Sequence, residues 1–282
     1  MAGVSTKAIK TRIKSMASTR QITKAMELVA SSKLRSAQSR AVACRPYFTA
    51  LYEAMNEIAD SSRTFDSPYL RQTGSGKTIY VVIAGDRGLA GGYNNNVLKL
   101  AYAQMPQDAV VLPIGKKAVE FFQRRGSSIL TEDYREAASV SISDCYTIAR
   151  LLADGFLSGD YQNVALVYTN FVSLLAQTPA ALPLLPLKIS AQKVDDPRRC
   201  GILYDGGSEA VFNAIVPEYL GGVLYGALCE STASEQAARR TAMDAASKNA
   251  DEIIETLNLQ YNRARQGAIT QEITEIVAGS EA

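Results

Sequence analysis

Apolar positions recur at helical spacing at both ends of the chain and fall into short continuous runs between them. Residues 4–45 contain neither glycine nor proline, and Ile9, Ile13, Met16, Ile22, Met26 and Val29 mark one side of an amphipathic helix. At about 1.5 Å per residue that helix is roughly 60 Å long. Ser5 is positioned to cap it. Pro46 is expected to kink the helix rather than end it, because Phe48, Leu51, Met55 and Ile58 carry the spacing on toward Asp60. At the other end, residues 227–266 again lack glycine and proline, and Ile254, Leu257, Tyr261, Ala264 and Ala268 alternate at three and four as a short coiled-coil seam. Pro217 and the glycines at 221, 222 and 226 obscure where this last part begins, near Ser208.

The middle changes period. Residues 79–84 (IYVVIA), 110–114 (VVLPI) and 163–169 (NVALVYT) read as buried strands, with a fourth at 182–189. Helical patterns occupy 95–104, 116–125 and 143–157. Strands alternating with helices predict a parallel-type α/β layer. The expected division is therefore an N-terminal helix over 1–60, an α/β domain over 75–200 and a C-terminal helix over 208–282. Neither long helix can leave its apolar side in water, so the two should wrap around each other as an antiparallel pair. A projecting rod of that kind suits machines and scaffolds more than enzymes.

Charge separates the two ends. Residues 1–45 carry ten basic side chains against the single acid Glu27, whereas residues 266–282 carry Glu272, Glu275 and Glu281 and no base. Histidine is absent, which removes the commonest general base and zinc ligand together. The four cysteines are scattered with no CxxC, so neither a disulfide framework nor a metal site is expected. No run of about 18 apolar residues stands out. The chain is expected to be soluble, or to be held at a membrane by another protein.

Two glycine-rich stretches invite a nucleotide reading. Gly74-Ser75-Gly76-Lys77-Thr78 resembles a phosphate loop, but Arg71 holds the position of the first glycine and the strand follows the loop instead of preceding it. The stretch from Gly85 to Gly92 (GDRGLAGG) follows a strand, yet its spacing is GxxGxxG. Asp86 would also put a negative charge where a pyrophosphate needs bare amides. The first reads better as a solvated linker and the second as a structural strand-to-helix turn, and no cofactor is expected. The basic helix could contact nucleic acid, but its charges share the helix with a full apolar stripe and suit a partner-facing surface better. A nucleotide-binding enzyme and a passive coiled-coil adaptor are the two competing classes.

Ile22-Thr23-Lys24-Ala25-Met26-Glu27, with Ser32-Lys33, resembles the N-terminal signature of the gamma subunits of F-type ATP synthases. The GDRGLAGG loop resembles that family's SDRGLCGG, with Gly85 for serine and Ala90 for cysteine. Ala238-Arg239 through Met243 and Asn249-Ala250 resemble its ARMxAM…NA segment, with Arg240 for methionine. Arg263-Ala264-Arg265-Gln266 and Ile269-Thr270-Gln271-Glu272 through Glu275 and Gly279 resemble its closing signature.

The resemblance implies α/β architecture: a long antiparallel coiled coil of the terminal helices plus a small Rossmann-like domain. It also implies a non-catalytic rotor shaft, peripheral to the cytoplasmic face of a bacterial inner membrane. Its partners would be three alpha and three beta subunits, epsilon and the c-ring. Residues matched to beta contact are Lys24, Met26, Arg265, Gln266, Thr270, Glu272 and Glu275. Tyr204, Asp205 and Glu209 match the foot that meets epsilon and the c-ring, although Gly206-Gly207 and Pro217 depart from the family pattern there. No cysteine-bearing insert of the chloroplast type is present, so thiol regulation is not expected.

Overall fold

The computed structural model describes residues 6–60, 65–71, 76–188 and 204–280. The expected cap Ser5, together with Gly74, Ser75, Ile189, Cys200, Leu203 and Glu281, lies outside the described residues. Helix α1 spans Thr6–Asp60 and α5 spans Ser208–Ser280. Between them come β1 (Lys77–Ile83), α2 (Tyr93–Gln104), β2 (Val110–Ile114), α3 (Lys116–Gln123), β3 (Ser128–Ile129), α4 (Ile142–Leu157), β4 (Tyr161–Phe171) and β5 (Gln177–Leu185). The chain divides into two compact units, Met1–Ser31 with Arg239–Ala282, and Ser32–Ala238.

The first unit pairs the start of α1 with the last part of α5. Arg20 meets Asp251 at 2.8 Å and Thr23 meets Ser247 at 2.7 Å, so residue numbers fall along α5 as they rise along α1. The helices are antiparallel, as expected. The seam differs from the predicted stripe. Ile9, Thr23 and Ala30 are buried, whereas Ile22 and Val29 are 61% and 55% exposed. A heptad step from Ile9 reaches Met16, Thr23 and Ala30, which leaves Ile22 and Val29 one position off the seam and facing outward. On α5 the seam keeps Ala250 and Leu257 and weakens through Tyr261 and Ala264, and Ala268 is exposed.

The second unit holds a five-stranded sheet in the order β3-β2-β1-β4-β5. The first four strands run parallel, and β5 returns antiparallel along β4. The sheet is therefore mixed, which modifies the predicted parallel layer. The fourth strand lies at Gln177–Leu185, a few residues before the predicted 182–189, and the two-residue β3 was not predicted. Pro179 and Pro183 lie on β5, an edge strand, where a missing N–H costs the ladder least.

β1 is buried on both faces. Ile79, Val81 and Ile83 turn toward α4 and the two long helices, while Tyr80 and Val82 turn toward α2 and α3. The result is a three-layer core in which α5 contributes Phe212, Val216, Leu220 and Leu224, each no more than 1% exposed. Burying each such side chain contributes about 1.5–3 kcal/mol. Ser141 and Asp144 form a capping box at the start of α4.

Both Pro46 and Pro217 lie inside continuous helices, so the obscure stretch after Ser208 is simply helix. Its glycines are explained by packing. A methyl on Gly222 would fall into the ring of Phe48, and one on Gly221 into the ring of Tyr146. An 18-residue stretch of α5 reaches a mean hydropathy of 1.2, enough by length and composition to cross a membrane, contrary to the sequence reading. That stretch is 44% buried inside the structure, and the apolar residues of α5 between Phe212 and Leu228 belong to the core described above.

Candidate functional site

The Gly85–Gly92 loop links β1 to α2. Asp86 accepts backbone N–H bonds from Lys116 (3.1 Å), Ala137 (2.8 Å) and Ala138 (3.1 Å). Asn94 accepts from the Gly85 amide at 2.8 Å and donates to the Arg87 carbonyl at 3.1 Å. The Glu235 carboxyl lies over Gly85, so close that a Cβ there would come within 2.8 Å of it. Two carboxylates thus occupy the place where a phosphate would need unclaimed amides. The loop clamps three chain segments together and is not a nucleotide cradle. Lys77 and Thr78 open β1, so the Gly76-Lys77-Thr78 stretch leads into a strand. Among the described residues no group of three or more His, Cys, Asp or Glu could hold a metal ion.

The residues expected to contact partners form three separate surfaces. In the first unit, Lys24 Nζ pairs with Glu27 at 2.9 Å while remaining 58% exposed, and Met26 beside it is half-buried. Asp244 and Lys248, paired at 2.8 Å on α5, face them. Lys248 holds the Asp244 carboxyl below its ordinary value, with smaller help from Lys24 and Arg240. Asp244 in turn raises Lys248, with Glu27 adding to it. The basic helix therefore presents a network of alternating charge at this level. The intrachain partner Glu27 was visible in the sequence three residues along; the cross-helix acid was not.

Arg265, Gln266, Thr270, Glu272 and Glu275 are all exposed on the final turns of α5. Thr270 Oγ1 donates back to the Gln266 carbonyl at 2.9 Å, and Gln271 donates to Glu275 at 2.8 Å. Ile269, Ile273, Ile276 and Val277 share this segment at 46–71% exposure. Lys24 lies opposite Asp244, some twenty residues before Arg265, so the two surfaces are roughly 30 Å apart along the helix.

The third surface is in the second unit. Tyr204 is half-buried against the core, and burial, then Glu57, raises its phenol. Asp205 is exposed, and Glu209 in the first turn of α5 accepts weakly from the Asp66 amide at 3.4 Å. A carboxylate there also favours the helix N-terminus.

The protein-family model described as ATP synthase matches residues 5–282. The ATP synthase gamma chain of Ruminococcus albus is 47% identical over 283 residues, covering 97% of each chain. The chain belongs to the ATP synthase gamma-chain family. Another relative, from Acetobacterium woodii, is 39% identical over 97% of each chain and is named as sodium ion specific. Among solved structures, a central-stalk chain of the Tetrahymena thermophila mitochondrial ATP synthase is 26% identical, with a TM-score of 0.55 over 80% of this chain and 99% of that one. A chain of the Euglena gracilis enzyme shares the fold at 19% identity, with a TM-score of 0.63 over 98% of this chain and 93% of that one.

Proposed function

We propose that the chain is the central rotor shaft of an F-type ATP synthase. It couples proton-driven turning of a c-ring to the conformational cycling of catalytic beta subunits. The observation that carries this reading is the final stretch of α5, helical and exposed, with isoleucines that none of the described residues covers. A helix with that much unburied apolar surface is built to be enclosed by other subunits. Three alpha and three beta subunits supply the enclosure, and epsilon and the c-ring engage the α/β part.

In this reading residues 1–60 and 208–282 form the shaft and residues 75–200 the foot. Lys24 and Met26 face the acidic levers of beta. Arg265, Gln266, Thr270, Glu272 and Glu275 act as a catch, and Tyr204, Asp205 and Glu209 meet epsilon and the ring. The shaft itself makes and breaks no covalent bond, which fits the lack of histidine and the carboxylate-filled loop. The complex would hold it, as a peripheral subunit, at the cytoplasmic face of the bacterial inner membrane. Nucleic acid has no part in this function.

The catch must hold through a dwell and then release, which suits charge-assisted bonds of about 1.5–3 kcal/mol each. The test is co-expression with alpha and beta. One copy of the chain should purify with three of each, and Arg265→Ala with Gln266→Ala should lower coupled turnover while the complex still assembles. Purification without alpha and beta would refute the rotor reading, and unchanged turnover in the double variant would refute the catch.

A further inference from the structure

Within the second unit β1 and β4 stop at different heights. β1 pairs with β4 only as far as Val82 opposite Val167, whereas β4 runs on to Phe171. On its other side Thr169 stands opposite Pro179 of β5, which has no N–H to give. The N–H and C=O of Thr169 turn instead toward the place where β1 has ended, and side chains of α5 fill that place. Ser231 Oγ accepts from the Thr169 N–H at 3.2 Å, and Ser234 Oγ donates to the Thr169 C=O at 3.2 Å. The Glu230 carboxylate accepts from the Phe171 N–H and pairs with Arg45 of α1 at 3.6 Å. Thr169, Ser231 and Ser234 are each no more than 2% exposed. About one turn of α5 thus stands in for the missing strand.

We propose that Ser231 and Ser234, with Glu230, are positioning residues of the rotor: they fix α5 on the sheet in one axial and rotational setting and so carry torque between the α/β part and the shaft. The inference rests on the rotor reading. Phe212, Val216, Leu220 and Leu224 also hold α5, but apolar contacts have no direction, and packed helices can slide past one another by small steps. Hydrogen bonds to the backbone of a strand do have direction, and burial strengthens them. They resist a twist of α5 about its own axis that the apolar contacts tolerate. They also lie where such a twist would arrive, within the last three turns of α5 in the second unit, which ends at Ala238.

The experiment uses the intact complex in inside-out membrane vesicles, with Ser231→Ala and Ser234→Ala together. With a protonophore present no gradient opposes the shaft, and ATP hydrolysis should match the parent. Without it the gradient loads the shaft, and hydrolysis should fall below the parent by up to about tenfold, the factor that corresponds to two lost hydrogen bonds. Further variants separate torque from stability. Gly222→Ala disturbs the packing of α5 against Phe48 and leaves these bonds alone, so it should keep the parent's ratio of loaded to unloaded rates. Glu230→Gln still offers an oxygen to the Phe171 N–H and should keep the ratio too, whereas Glu230→Leu offers none and should lower it. If the double variant does not assemble, Ser234→Ala alone should show the same change at smaller size. An unchanged ratio in the serine variants, or an equal fall in Gly222→Ala, would overturn the proposal. Absence of alpha and beta from the parent complex would instead strike at the rotor reading.

Discussion

The hydroxyls of Thr23 and Ser247 meet at 2.7 Å across the helix pair, with both residues buried. Each also lies close to a carbonyl of its own helix, Arg20 at 3.0 Å and Met243 at 2.9 Å. One hydroxyl therefore donates across the seam and the other donates within its helix. Either Thr23→Val or Ser247→Ala alone removes the bond across the seam but leaves the surviving hydroxyl the carbonyl of its own helix, and should cost about 0.5–1.5 kcal/mol. The double variant should cost less than the sum of the singles. Urea unfolding of the full chain measures the coupling, and strictly additive losses would mean that the contact contributes nothing.

Removing the Asp86 carboxylate should loosen the loop and leave it no better at binding nucleotide. In Asp86→Ala the amides of Lys116, Ala137 and Ala138 lose their acceptor. A loss of about 2 kcal/mol in stability is expected. Calorimetry with ATP should show no saturable binding in either form.

Gly222→Ala sets two effects against each other. Alanine gains up to about 1 kcal/mol in helix propensity over glycine. The new methyl would overlap the Phe48 ring, and overpacking of this kind costs about 1–3 kcal/mol. The clash should win, with a net loss of about 1 kcal/mol. Adding Phe48→Leu should recover part of it, as read from thermal denaturation midpoints.

The pH dependence around Glu230 follows from burial. Because burial raises its carboxyl above the ordinary 4.5, the folded chain holds this proton more tightly than the unfolded chain does. The favourable contribution is complete below 4.5 and is lost as pH rises through the raised folded value. Glu230→Gln should therefore be more stable than the parent near neutral pH and indistinguishable from it in acid. Stability curves of both forms against pH give the comparison, and a neutral-pH loss in the variant would show that Arg45 outweighs burial.

Helices were the legible part of the sequence, because their 3.6-residue period survives over many turns. The ends of α1 at Asp60 and of α4 at Leu157, and the bounds of β2, follow from local pattern alone. What failed depended on the second helix. Ile22 and Val29 are more apolar than Thr23 and Ala30, so hydrophobicity alone misplaces those two positions, and Thr23 is acceptable inside because its hydroxyl reaches Ser247 and the Arg20 carbonyl. Likewise Gly221 and Gly222 look like helix breakers until the rings of Tyr146 and Phe48 are seen against them. β3 pairs through only two residues and is too short to have a period. At the candidate surfaces, residue identities could be read from motifs, but the bond of Lys24 to Glu27 and the separation of Lys24 from Arg265 required coordinates.

The exposed end of α5 has a thermodynamic consequence. A lone helical stretch of about four turns is marginal in water, since nucleation is costly and tertiary packing normally supplies the stability. In the free chain residues 265–280 should lose helical structure on warming well before the rest, visible as early amide hydrogen exchange there. Complete folding of this end is then an act of assembly, and the conformational entropy surrendered on entry weakens its hold on the enclosing subunits. A loosely gripped tip can slip past each neighbour in succession, which a tightly bound one could not do.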